Sequence, residues 1–577
     1  MTRARLAALL VVAAIGAAIW WVLPPARRSL TLPPDALTVR GALHVHTRRS
    51  DGTGTPEDVA KAAASAGLDF VILTDHGDAT RFTNAPRYVD GVLVLDGVEI
   101  STTGGHYVAL GMPRAPYRLA GEPRDVVEDV RRLGGFGIAA HPDSPKPELS
   151  WQDGQANADA LEWLNADSQW RDETRAALLR TVLSYWLRGP ESIVSLFDRP
   201  VSAIGQWDAL TRRRSVVAVA GHDAHARMSL GGGWEPTGDE RSLALPSYAA
   251  AFQAFALRAM LARPWGRTAQ SAAYDAAALL DALRGGRVYT VIDALAGPAR
   301  LEFSAVSTGG TTTMGGIVTD LGEVAFKAAL SPEVSGATIV VVKDGHDFRT
   351  TRASSVSFVH AAGEGRATYR VEVRLEGAPG EPPVPWIVGN PIYVTRGEAP
   401  AGEVVPPRVV GQRMFDDGSG LVEWRIERHA QCQGRVKVDP TFHKRLRFSW
   451  RLAEGPRVSQ YAAMVTRLDG RALRVFNQLT FRASASRPMR LSVQLRIPDG
   501  RRWQRSVFVD ETPREIVVPM SEMTSVAPGR RRMHLLRADS LLFVVDTVNT
   551  SPGTAGETWI DSIRWQQATN ERTTNDQ

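Results

Sequence analysis

Residues 41–76, GALHVHTRRSDGTGTPEDVAKAAASAGLDFVILTDH, hold a complete strand–helix–strand unit, and their reading decides the fold class. Ala42 to Val45 is a first apolar strand. Thr55, Pro56, Glu57 and Asp58 make a helix start. They supply a side-chain cap, a proline where its missing N–H costs little, and two acids against the positive helix end. Gly67 closes the helix, and Phe70 to Leu73 is a continuous apolar strand. The same alternation continues. Val92 to Leu95, Phe136 to Ala140, Ala160 to Leu164 and Val216 to Ala220 read as buried strands. Val126, Val127, Val130 and Leu133 recur at helical spacing, and residues 172–197 and 247–284 are mostly helical. Fully apolar strands alternating with helices argue a parallel α/β fold.

The polar residues stand where these strands stop. Seven of the twelve histidines fall between residues 44 and 225. The segments are His44-Val45-His46, Ser50-Asp51-Gly52, Thr74-Asp75-His76, Gly97-Val98-Glu99, Gly105-His106, Ala140-His141-Pro142 and Gly221-His222-Asp223-Ala224-His225. A parallel barrel presents reactive groups at the C-terminal ends of its strands, so one face would collect them. Residues i and i+2 of a strand share a face, which makes His44 and His46 a natural ligand pair. Imidazole with carboxylate suits Zn, Mn or Fe. A lone histidine after a strand is ordinarily a packing residue. Six histidines and three acids, each at a strand terminus, are not explained that way.

The runs H-V-H-T-x-x-S-D-G, G-L-D-F-V-I-L-T-D-H, G-V-E-I, A-H-P and D-A-H, in this order across residues 41–226, resemble the PHP (polymerase and histidinol phosphatase) family. The resemblance implies a distorted (β/α)7 barrel with two or three divalent transition metal ions (Mn, Zn or Fe). By motif, His44, His46, Glu99 and Asp223 would hold the first metal. Glu99 would bridge to a second with His106 and His141, and Asp51, His76 and His225 would hold a third. Glu99, Asp223 and His76 are expected to act at the reacting centre. The helical end Asp275 to Gly286, followed by β structure, resembles the branch that includes carbamate-hydrolase-like proteins. His222 has no family role and reads as packing or support, while Asp75 and Asn165 could orient ligands. Two close metals can clamp the attacking and leaving oxygens of a hydrolysis. Arg48, Arg49 and Lys146 are candidate substrate-binding cations.

These features imply a multinuclear metal-dependent hydrolase, foremost a phosphoesterase. A carboxyl-ester, amide or carbamate hydrolase using the same site is the alternative. A non-catalytic carbohydrate-binding protein is a third reading, opposed by the complete ligand set. The substrate would be a small-molecule or envelope-associated ester. A net charge of +6 over 577 residues is too thin to argue for nucleic acid, and no such partner is expected. The single cysteine, Cys432, excludes a disulfide framework and a thiolate metal site.

Around the barrel, expected over residues 40–295, other segments differ in composition. Leu6 to Leu23 is almost unbroken apolar sequence between Arg3 and Arg5 and the run Pro24, Pro25, Arg27, Arg28. About 20 apolar residues cross a bilayer, so residues 1–28 are expected to be a transmembrane anchor or a cleaved signal segment. Either would put the enzyme on the extracytoplasmic, periplasmic side, with the anchor holding it to the membrane. Residues 296–396 read as a small β-sandwich and 412–567 as a jelly-roll, galactose-binding-like sandwich. The latter carries Trp424, Trp450, Trp503, Trp559 and Trp565, which could contact carbohydrate or fill a core.

Overall fold

The computed structural model describes Gly16 and residues 22–81, 83–229, 242–243, 245–319, 322–362, 365–395, 408–439, 444–455, 459–526, 533 and 535–569. They form two compact units, Met1–Pro113 with Val126–Gly402, and Arg114–Asp125 with Glu403–Gln577.

The first unit is built on eight strands: β1 Thr38–Val45, β2 Phe70–Leu73, β3 Val92–Asp96, β4 Val98–Thr102, β5 Gly105–Leu110, β6 Phe136–Ala139, β7 Ala160–Asn165 and β8 Val217–Gly221. β1, β2 and β3 pair in parallel. Gly97 alone separates β3 from β4. A Cβ there would lie 2.5 Å from Leu110 Cδ2 and 2.9 Å from Ala109 O, so only glycine fits this corner. β6, β7 and β8 are again parallel. A bridge from Val45 to Ala224 closes the barrel, with His46 N donating to Ala224 O at 3.0 Å. The helix Pro56–Ser65 carries the cap anticipated above: Thr55 accepts from Asp58 N while Asp58 accepts from Thr55 N.

One barrel strand departs from the parallel expectation. β5 runs antiparallel to both β4 and β6. The β4–β5 hairpin explains it. Thr102 Oγ1 caps the turn from Gly104 N and donates to Gly105 O, and Gly105 has φ 104° with Ser150 O only 2.4 Å from where a Cβ would be. His106 therefore begins a strand rather than following one. Because that strand is reversed, His106 still lies at the metal-ligand end.

The barrel sheet continues beyond the barrel. β9 (Ala256–Met260) pairs with β1, and β10 (Val288–Val291) pairs with β9. β10 then pairs on its other edge with Ile387–Gly389 of the β region. Asn390 adds a side-chain clasp, bonding Ala218 N, Ala218 O and Val288 O. A separate four-stranded sheet, Gly310–Thr313, Arg300–Ser307, Val324–Ser331 and Ser355–His360, accompanies it.

The second unit is a sandwich of two six-stranded sheets. Trp424, Trp450, Trp503 and Trp565 lie in its core with Phe448, Phe481 and Phe543. Only Trp559 of the five is half-buried, and its Nε1 donates to Asp439. Burial in the core accounts for the other four aromatics.

Among the described residues no helix is long and apolar enough to cross a membrane. The longest, Ala272–Arg284, has 13 residues. At 1.5 Å per residue it spans roughly 20 Å against the roughly 30 Å of a hydrocarbon core. This overturns the transmembrane helix in the expected fold class. The run Leu6 to Leu23 that suggested it lies outside the described residues, apart from Gly16, Val22 and Leu23.

Candidate metal centre

Glu99 is the hub. Its Oε2 lies 3.2 Å from each of His44 Nε2, His46 Nε2 and His76 Nδ1. Its Oε1 meets His106 Nδ1 at 2.8 Å and His141 Nε2 at 2.9 Å. Asp223 Oδ1 faces His46 Nε2 at 3.2 Å and His44 Nε2 at 3.5 Å. Asp51 Oδ2 faces His225 Nε2 at 3.2 Å and His76 Nε2 at 3.6 Å. His225 stacks on His46, with ring centroids 4.2 Å apart. All nine residues named from the motifs thus meet at one end of the barrel.

Four donor groups have ligand atoms mutually within 4.8 Å: His46, Asp51, His76 and His225; His44, Glu99 and His141; His44, His46 and Asp223; His76, Glu99 and His106. The grouping differs from the motif-based partition. His106 and His141 fall in different groups, and His46 joins the Asp51 group. His44, His46, His76 and Glu99 each belong to two groups, so the ions these residues could hold would be neighbours sharing ligands.

The backbone is shaped for this convergence. His44, His141 and Asp223 have φ of 65°, 32° and 47°, in the left-handed region that costs a non-glycine residue about 1–3 kcal/mol. An extra residue in β1 between Ala42 and Val45, relative to β2, forms a bulge that re-aims His44.

Support comes largely from residues the sequence reading passed over. Glu162, fully buried in β7, accepts from His44 Nδ1 at 2.6 Å, His141 N at 2.8 Å and Asn165 Nδ2 at 2.8 Å. Gly221 must be glycine, because a Cβ would sit 1.9 Å from Glu162 Oε1. An acid inside the apolar run Ala160–Leu164 was the available signal. Tyr248 Oη donates to the carbonyl of His46 and lies 3.2 Å from that of His225, joining two ligand loops. Asp75 does not touch an imidazole. It accepts from Thr47 N, Thr47 Oγ1 and Ser50 Oγ, and so holds the loop that carries Asp51. His222 is buried against Phe255, ring centroids 4.1 Å apart, and between two carbonyls. Burial pushes its pKa down to about 4, so it packs as a neutral ring.

The three substrate-cation candidates differ in freedom. Arg49 is committed to Asp96 at 2.8 Å. Arg48 Nε donates to Thr53 O within its own loop. Lys146 is half-buried in the loop after His141, and its backbone carbonyl closes that loop by accepting from Leu149 N and Ser150 N. Arg227, which the sequence reading omitted, reaches the Asp51 carbonyl at 3.5 Å.

The electrostatics show what the donor set lacks. Burial opposes ionisation of Glu99, but His44, His76 and His106 outweigh it and hold that carboxyl well below its usual range. Asp223 is likewise held down, by His44 and His46. Conversely, burial disfavours the His46 imidazolium, yet Asp223 and Glu99 raise its pKa to about 10. His44 Nε2, His46 Nε2 and His76 Nδ1 are buried with no hydrogen-bond partner, although each stands 3.2 Å from a carboxylate oxygen. Buried imidazole nitrogens aimed at carboxylates without hydrogen bonding fit divalent transition ions.

A PHP domain model matches residues 42–114. The chain is 30% identical over 121 residues to an uncharacterised protein of Methanocaldococcus jannaschii, covering 18% of this chain and 70% of that one. It is 36% identical over 110 residues to a 3′,5′-nucleoside bisphosphate phosphatase of Chromobacterium violaceum, covering 17% of this chain and 38% of that one. A two-domain Bacteroides vulgatus structure described as containing a predicted PHP-like metal-dependent phosphoesterase aligns at 16% identity and TM-score 0.29, over 64% of this chain and 98% of that one. A family 11 carbohydrate-binding module of Clostridium thermocellum aligns at 17% identity and TM-score 0.24, over 29% and 99%. The chain belongs to the PHP superfamily. The likeness reaches the superfamily and not the carbamate-hydrolase-like branch. Site and family together support a metal-dependent hydrolase acting on phosphoester bonds.

Proposed function

We propose that this chain hydrolyses a phosphate ester of a small molecule at the Glu99-centred site. The observation that carries the reading is the gathering of six imidazoles and three carboxylates at one end of the barrel, with Glu99 facing five of the imidazoles, in a chain whose residues 42–114 match a PHP domain. The bisphosphate phosphatase relative favours phosphate over carboxylate esters. Divalent ions, when bound, supply Lewis-acid polarisation of a phosphoryl oxygen and make water a stronger acid. His44, His46, His106, His141 and Asp223 would hold the ions around Glu99, with Asp51, His76 and His225 on the outer side. Glu162 keeps the His44 ring in one tautomer and orientation by accepting from Nδ1, which leaves Nε2 to ligate. Lys146 and Arg227 are cations on the loops around the site, suited to the substrate's phosphate oxygens. We also propose an extracytoplasmic setting, supported only by the composition of residues 6–23 and tested by fractionating cells that express the full chain.

The experiment is hydrolysis of p-nitrophenyl phosphate and bis-p-nitrophenyl phosphate by metal-loaded protein. Carboxylate analogues run alongside. Turnover of a phosphate ester, lost on chelation and restored by Mn, Zn or Fe, is expected. Turnover confined to the carboxylate esters would refute the reading.

A further inference from the structure

A cavity of about 490 Å³ lies at the barrel end opposite the metal centre. Phe136 and Val217, at the starts of β6 and β8, line it, as do Asn390 and Tyr393 of the β region. It also gathers three guanidiniums, those of Arg131, Arg214 and Arg284, against one carboxylate, Asp159. That carboxylate is already engaged. Arg131 donates to Oδ1 from Nε and Nη2, and Gly137 N donates to Oδ2 at 3.0 Å. Arg284 gives Nη2 to Gly134 O, and Arg214 gives Nη1 to Ala158 O, each at 2.7 Å. Neither has a carboxylate partner among the described residues. Arg214 Nη2 is buried with no hydrogen-bond partner there.

We propose that this cavity is a second binding site, taking a small phosphate-bearing anion. A buried guanidinium nitrogen without an acceptor is costly, and three guanidiniums against the single Asp159 carboxylate, already paired with Arg131, leave the cavity with an excess of positive charge. Burial and the neighbouring Arg131 both push the Arg214 pKa down, the direction expected of a cation that lacks its anion. Capping loop carbonyls explains Nη1 of Arg214 and Nη2 of Arg284. It leaves the remaining N–H groups and all the charge unused. Paired guanidinium forks match phosphate geometry, and the volume suits a ligand up to nucleotide size. The wall is also close-packed backbone: a Cβ on Gly315 would lie 1.9 Å from Gly285 O. β6 and β8 run from this cavity to His141 and Asp223, so a ligand here would press on the same strands that present two metal ligands.

The test is calorimetric titration of inorganic phosphate into metal-loaded, full-length protein. Phosphate also enters a phosphoesterase's own site, so three variants separate the events. Arg214→Lys and Arg284→Ala should each weaken one binding event about tenfold or more. Glu99→Gln should leave that same event intact. Arg284 is exposed, so its truncation tests the proposal without threatening the fold. The absence of any phosphate binding that depends on Arg214 and Arg284 would overturn the proposal, whatever happens at the metal centre.

Discussion

Two clusters of buried charge in the first unit are assembled from opposite materials. Around Glu99, imidazole nitrogens face carboxylates without hydrogen bonding to all of them. Around Glu372, also fully buried, guanidiniums supply every donor: Arg199 bonds both carboxylate oxygens at 2.7 and 2.8 Å, with Arg370 at 3.0 Å and Arg374 at 3.3 Å. Arg370 also pairs with Asp208 and lies 4.9 Å from the Trp207 ring centroid. The Glu372 carboxylate is satisfied by protein donors alone, with Arg370 Nε the one guanidinium nitrogen there, among the described residues, that is buried and unpartnered, and the cluster joins the β region to the barrel loop at Arg199. The Glu99 cluster is complete only with added cations. Burial of charge therefore does not mark a functional site. A deficit of donors does, and arginine, which cannot ligate a metal, removes that deficit.

The comparison can be broken at either end. Glu99→Gln should lower phosphate-ester hydrolysis by about 10²–10³-fold while circular dichroism stays that of the parent, because it removes the charge shared between ions. A fold that collapses instead would make the Glu99 cluster structural, like its counterpart. Glu372→Gln should do the reverse. It should cost about 3 kcal/mol of stability by leaving buried guanidiniums unpaired, with hydrolysis per folded molecule unchanged.

The second effect carries a pH signature. The Glu372 pKa is lowered from 4.5 to about 2, because Arg199 and Arg370 outweigh its burial. A depressed carboxylate stabilises the fold fully above its unfolded value of 4.5, and that stability disappears as pH falls through about 2. Parent and Glu372→Gln should thus differ most at pH 7 and converge in acid, read by urea denaturation. A pH-independent difference would mean lost packing rather than lost charge.

Glu162→Gln sits between the clusters in character, a satisfied carboxylate serving an unsatisfied site. It should weaken metal affinity by about 10- to 100-fold, measured by chelator competition. Arg48→Ala, an exposed cation in neither cluster, should change hydrolysis by less than about threefold. A tenfold rise in KM would instead make it a substrate contact.

The candidate metal donors were legible because most of them interrupt an apolar strand end with a residue that packing does not call for. His44 with His46, and Asp223 with His225, are readable as spacing alone. What joins them was not readable. Glu162 lies inside a strand whose neighbours are apolar, where nothing local announces that Gly221 has been kept small to admit it. His106 was named from its motif, but the strand it stands on, antiparallel to both neighbours, was not among the strands read from the sequence. Reversal depends on the Thr102–Gly105 turn and on Ser150, 45 residues away in the chain, crowding Gly105. The left-handed backbone at His44 and His141 is a tertiary imposition on residues with no local preference for it. The apolar run Leu6 to Leu23 suggested a spanning helix from hydrophobicity alone, and it lies outside the described residues apart from Gly16, Val22 and Leu23.

The pairing of Val288–Val291 with Ile387–Gly389 bears on how the chain can be cut. A fragment ending near residue 295 would keep every metal donor and still leave Val288–Val291 as a bare, apolar edge, ready to recruit strands from other molecules. It would also lose Asn390, whose amide ties off Ala218 one strand's length below Asp223. The minimal folding piece that carries this chemistry is therefore longer than the barrel, and nested deletions should pass from soluble to aggregated when the cut moves from beyond residue 395 to before residue 387.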